Sequence, residues 1–116
     1  MNVQIFGTGK CFDSKKAQRF FKERRIPFHW IDLREKPMSP GELRSVLRAL
    51  GSVENALDPN AKDQDALALV QYISPAQKEE KLLENQHLLK TPIVRNGSKA
   101  TAGYAPDEWK KWIEAP

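Results

Sequence analysis

The stretch GTGKCFDSKKAQRFF, residues 7 to 21, holds the chain's one cysteine, Cys11, between a glycine-rich turn and the first turn of an expected helix. A thiol attacks as its thiolate, which is favoured beside the unpaired N–H groups of a helix N-terminus and near cations. Lys10, Lys15 and Lys16 supply positive charge at that end, while Asp13 opposes it, so a modestly activated thiol is expected. Ser14 lies three residues on, giving CxxS, a spacing at which its hydroxyl can donate to the sulfur. A hydroxyl cannot resolve a mixed disulfide, so the resolving thiol has to come from another molecule. The bland alternative is an inert packing residue, because free cysteines are among the most buried residue types. Thr8 and Gly9 precede the thiol, and Thr91 and Pro92, in LLKTPIVRNG, open a later strand. These four form a candidate platform for substrate or thiol. Proline can begin a strand but not sit inside a central ladder, and a cis bond would present the Thr91 backbone to an extended substrate.

The elements that would hold these residues follow from periodicity. Residues 2 to 6 alternate as a short strand ending at Gly7. Ala17, Phe20 and Phe21 at i, i+3, i+4 predict a helix over 13 to 25, with Asp13 or Ser14 as its cap and Pro27 closing it. FHWIDL, residues 28 to 33, reads as a second strand, parallel to the first through a right-handed βαβ connection. Ser39 as cap, Pro40 at the first helical position and Glu42 three after the cap open a helix that carries Leu43, Val46, Leu47 and Leu50 and ends at Gly51. Two further helices are expected over 64 to 73 and 75 to 86. The tail returns to TPIVRN, a turn at Asn96 and Gly97, SKATAG, and a helix opened by Pro106 with Trp109, Trp112 and Ile113 on one side. The fold class is therefore α/β: a βαβ half and a ββα half around a mixed four-stranded sheet, the element order of the thioredoxin-like fold. One domain is expected over residues 1–116, with a helical insertion at about 39–88. Tyr104 lies in a loop that this fold can turn toward the cysteine, where it would line the site. The other aromatics have the spacing of core positions.

Composition narrows the function classes. Apolar residues make up 40% and charged residues 29% of the chain, within the range of folded domains. The net charge of +4 is spread along the sequence, and its densest run, KKAQRFFKERR, reads as a solvated helix face rather than a nucleic-acid interface. His29 and His87 stand alone, so no metal site is expected. The apolar runs are short and MNVQIFGTG does not read as a secretory signal, so a cytoplasmic protein that engages neither membrane nor nucleic acid is expected, as a monomer.

IFGTGKCFDSKKAQRFF, IPFHWIDLREKPMS, the helical middle and LLKTPIVRNGSKATAGYAPDEWKKWI together resemble the arsenate reductase (ArsC) family of thioredoxin-like proteins, including its Spx and YffB branches. CxxS followed by Lys15 is similar to the reductase branch, whereas Spx regulators usually carry CxxC. TPIV looks like the family's RPI element, whose proline is cis. The resemblance implies a cytoplasmic monothiol oxidoreductase with no bound cofactor. Its adduct at Cys11 would be released by glutathione or a glutaredoxin-like thiol, with Lys10, Ser14 and Lys15 stabilising the anion. The family's oxyanion-clamping arginines fall at Thr91, at Ala105 and in ENALDPNAKD, which has none, so efficient arsenate reduction is not expected. Lys90, Arg95 or Lys99 would compensate only by pointing inward. The alternative is an Spx-like adaptor that binds the α subunit of RNA polymerase, or another protein, without catalysis.

Overall fold

A computed structural model describes residues 1–115. In chain order the elements are β1 (Val3–Gly7), α1 (Phe12–Glu23), β2 (Phe28–Asp32), α2 (Pro40–Leu50), α3 (Gln64–Tyr72), α4 (Pro75–Glu84), β3 (Ile93–Asn96), β4 (Lys99–Ala102) and α5 (Pro106–Glu114). Single 3-10 turns at Glu54–Ala56 and Gln86–Leu88 flank the α3–α4 pair. The strands form one sheet in the order β2-β1-β3-β4. β1 runs parallel to β2, with Ile5 opposite Trp30, and antiparallel to β3, with Ile5 opposite Val94. β3 and β4 are antiparallel. This is the thioredoxin-like arrangement, with α2 to α4 between its two halves.

Strand alternation sends side chains to two separate cores. Val3, Ile5 and Val94 pack with Ala17, Phe20 and Phe21 of α1 and Trp109 and Trp112 of α5. Phe6 and Ile93, on the opposite face, pack with Leu43, Val46 and Leu47 of α2 and with residues of the α3–α4 pair. Full burial of side chains such as Phe6 and Phe21 contributes roughly 1.5–3 kcal/mol each. Trp109 adds a polar tie, since its indole N–H donates to Thr101 Oγ1 on β4 at 2.8 Å. Its ring also meets Phe20 edge-on, with centroids 5.2 Å apart.

Several boundaries differ from the sequence expectation, each for a local reason. α1 starts at Phe12 with Cys11 itself as N-cap, not Asp13 or Ser14. The chain is already turned there by a Cys11 N–H bond to the Thr8 carbonyl at 3.2 Å. The helix ends before Pro27, at Glu23, because Arg25 adopts a left-handed conformation (φ 56) and the Ile26 and Arg25 N–H groups close back onto the Phe21 and Lys22 carbonyls. The hairpin turns at Gly97 and Ser98, since Asn96 is still paired with Lys99. Gly97 (φ 60) takes the position of positive φ. The helix expected over 75 to 86 stops at Glu84, and the chain tightens into the 3-10 turn that carries Gln86.

Gln86 then ties the turn after α4 to the connection between β2 and α2. Its buried side-chain amide accepts from the Met38 N–H at 2.7 Å and donates to the Met38 carbonyl at 2.9 Å. The expected Ser39–Glu42 capping box is formed, with both reciprocal bonds present. Asp58 N–H bonds to the Leu88 carbonyl and Lys90 N–H to the Ala56 carbonyl, so the segment leading into Thr91 is fixed like an extra strand pair.

At Gly7 helix α1 lies close against the sheet. A Cβ there would collide with Ser14 Oγ and stand 2.9 Å from Ser14 Cβ and 3.0 Å from the Trp30 ring. Overpacking of this kind costs about 1–3 kcal/mol, so Gly7→Ala is expected to lower the urea midpoint accordingly, and adding Ser14→Gly is expected to recover part of the loss. Equal midpoints for wild type and Gly7→Ala would show that the contact yields freely.

Candidate functional site

Cys11 sits where the β1 turn passes into α1, extended (φ −78, ψ 117) and partly exposed. No side chain caps α1, so its first-turn N–H groups face the site without a capping partner. Across from it the Thr91–Pro92 bond is cis and Pro92 is buried. Both hydrogen bonds that the sulfur makes among the described residues involve Thr91. The Thr91 hydroxyl donates to Sγ at 3.1 Å, and the thiol S–H donates to the Thr91 carbonyl at 3.6 Å. The second bond exists only for the protonated thiol. The first is available to a sulfur anion, so Thr91 can serve the nucleophile in both states.

That role was expected of Ser14, and the structure corrects the expectation. Ser14 is fully buried beneath the first turn of α1, and its hydroxyl has no hydrogen-bond partner. It points at the Gly7 backbone, because a residue three after the N-cap lies on the sheet-facing side once α1 docks on β1. Lys10 and Lys15 are exposed and make no bond to the sulfur, so whatever they add is a diffuse, salt-screened field. Tyr104 is 43% exposed and packs edge-on against Trp109 at 5.5 Å. The Lys16 ammonium lies 5.3 Å from both the Tyr104 and the Phe12 rings. Tyr104 lies in the wall of a separate groove with Arg24, Pro106 and Lys110, and is not among the residues lining the cleft at Thr8 and Thr91.

Among the described residues, none of Lys90, Arg95 and Lys99 bonds to the thiol. Lys90 lays its stem over Gly103, Arg95 is bonded to Gln4 and Ser45, and Lys99 is an exposed residue at the hairpin turn. Ala105 is the N-cap residue of α5 and packs against the aromatic core. Sequence reasoning missed Arg34 instead. Its guanidinium lies over Gly9, 3.3 Å from where a Cβ would stand, and is anchored by Asp32, which accepts from Nε at 3.3 Å and Nη2 at 3.2 Å. These bonds hold the Asp32 carboxyl below its usual range. In DLREKP nothing distinguishes Arg34 from an ordinary surface charge. Beside it a cleft of about 710 Å³ opens between the thiol turn and the α3–α4 pair, with Thr8 and Thr91 in its wall.

Residues 6–112 match the model of the ArsC family. The chain belongs to the ArsC family. Its relatives include the global transcriptional regulator Spx 2 of Oceanobacillus iheyensis, 27% identical over 115 residues that span 97% of this chain and 84% of that protein. Among solved structures, the arsenate reductase from Vibrio cholerae superposes with a TM-score of 0.81 at 23% identity, covering 96% of this chain and 97% of that one. The YffB protein superposes with a TM-score of 0.79 at 19% identity over 95% and 97%. At these identities the structural likenesses establish the thioredoxin-like fold.

The two hydroxyls separate cleanly by experiment. Thr91→Val removes the donor to the sulfur and is expected to slow alkylation of Cys11 by iodoacetamide at neutral pH about five-fold, the scale of one lost hydrogen bond. Ser14→Ala removes only an unpartnered buried hydroxyl and is expected to leave both the alkylation rate and the urea midpoint within experimental error. The reverse ranking would restore Ser14 to the role the spacing suggested.

Proposed function

We propose that this ArsC-family chain is a monothiol oxidoreductase with Cys11 as its nucleophile. The observation that carries this reading is the sulfur at the head of α1, partly exposed and bonded by the Thr91 hydroxyl, with a cleft beginning at its two neighbours. In the reaction the Cys11 thiolate attacks one sulfur of a disulfide, forming a mixed disulfide and expelling the other half as a thiolate. A second thiolate, from glutathione or a glutaredoxin-like protein, then attacks the substrate-side sulfur. That step releases the new disulfide and returns Cys11 to its thiolate form. The chain has no second cysteine, so both electrons come from external thiols.

Arsenate is a poor candidate substrate. The family's arginine positions are occupied by Thr91 and Ala105, and each missing guanidinium forfeits a charge-assisted bond of roughly 1.5–3 kcal/mol to an oxyanion. The likeness to Spx 2 supports a second reading, an adaptor that binds RNA polymerase or another protein without catalysis. A binding surface of that kind needs no thiol.

Intact-mass measurement after exposure to oxidised glutathione tests the first reading. One adduct per chain is expected, reversed by reduced glutathione and missing from Cys11→Ser, with no adduct from arsenate plus reduced glutathione. An unmodified wild-type chain would overturn the oxidoreductase reading. Capture of one cellular protein equally by wild type and Cys11→Ser would then support the adaptor.

A further inference from the structure

The cleft beside the thiol is large for a tetrahedral oxyanion and falls within the roughly 300–1,000 Å³ of pockets that hold small organic ligands. Its wall is of two kinds. Leu33, Pro37, Ala61, Leu83 and Leu89 give an apolar lining, while Arg34 and Lys62 stand with acidic residues among its polar groups. The acids are already engaged. Asp63 pairs with His87 at 2.9 Å and caps α3 through the Ala66 N–H, and those bonds hold its carboxyl below the usual range. Asp58 accepts from the Asn60 N–H at 2.9 Å, and Glu84 lies 3.5 Å from the Lys81 ammonium. The cations are less committed. Lys62 has no ion pair among the described residues, and Arg34 engages Asp32 through Nε and Nη2, leaving Nη1 available. A more open groove of about 750 Å³ runs beside α1 and β2, but neither Thr8 nor Thr91 lines it.

Resting on the monothiol reading above, we infer that this cleft selects the substrate: a disulfide of low molecular weight with an apolar body and a carboxylate. Its reacting sulfur would meet Cys11 beside Thr91, its apolar part would lie on Leu33, Leu83 and Leu89, and its carboxylate would reach Lys62 and the spare edge of Arg34. The bond made is Cys11 Sγ to the near sulfur, and the far sulfur leaves as a thiolate, so no further reactant enters this step. Selectivity arises because the apolar lining rewards burial of carbon, while Lys62, with no ion pair among the described residues, and the free edge of Arg34 offer partners to a carboxylate.

Stopped-flow rates of Cys11 modification by three probes test this. Iodoacetamide is small and uncharged and reads the thiol itself. Dithiobis(nitrobenzoate) is an aromatic disulfide with carboxylates, and dithiodipyridine is its uncharged counterpart. Lys62→Glu is expected to lower the dithiobis(nitrobenzoate) rate, taken relative to iodoacetamide, about ten-fold, and the dithiodipyridine rate less than about two-fold. Leu83→Gln, with folding checked by circular dichroism, is expected to slow both aromatic disulfides together, about three-fold or more relative to iodoacetamide. Wild-type ratios retained in both variants would overturn the cleft assignment while leaving the thiol active. An unreactive wild-type Cys11 toward iodoacetamide would instead overturn the monothiol reading beneath it.

Discussion

The hydrogen bond from the Thr91 hydroxyl to Cys11 Sγ joins segments 80 residues apart, and much of the architecture between them serves to hold its ends in place. One end is set by β1, whose central position in the sheet and tight turn at Thr8 deliver Cys11 to the head of α1. The other end is set by β3, antiparallel to β1, and by backbone bonds that tie residues 56 to 58 to residues 88 to 90 just before Thr91. Because β3 lies directly beside β1, the two reactive ends meet without either loop being long. The two cores fix this geometry from both faces of the sheet.

The helical stretch between the halves is more than a connector. Gln86 clamps it to Met38, and with that clamp the α3–α4 pair forms the far wall of the cleft. The cations in the cleft wall, Arg34 and Lys62, come from the β2–α2 connection and the loop before α3. Beside the sulfur, among the described residues, the side-chain donor is the neutral Thr91 hydroxyl, while Arg34 and Lys62 lie along the cleft with its apolar lining.

What could be read from the sequence was whatever is local. Ser39, Pro40 and Glu42 announced α2 because a capping box is complete within four residues, and Leu43, Val46 and Leu47 announced its buried face. The α1 cap was misplaced because cysteine is not a usual capping residue, so Asp13 and Ser14 drew the assignment. Thr91 takes the role expected of Ser14 for a tertiary reason: CxxS spacing describes an isolated helix turn, but docking α1 against Gly7 buries Ser14 and leaves the sulfur facing the segment before β3. Gln86 and Arg34 carried no signal at all. The first acts on a backbone 48 residues away, and the second gains meaning only from lying over Gly9.

The most direct test of this account is a crystal structure of the chain carrying a glutathione adduct at Cys11. It should show the Thr91 hydroxyl still directed at the cysteine sulfur and the adduct running into the cleft along Leu33 and Leu83. An adduct lying outward over Phe12 and Tyr104, with Thr91 bonded elsewhere, would contradict both the nucleophile's support and the direction from which its substrate arrives.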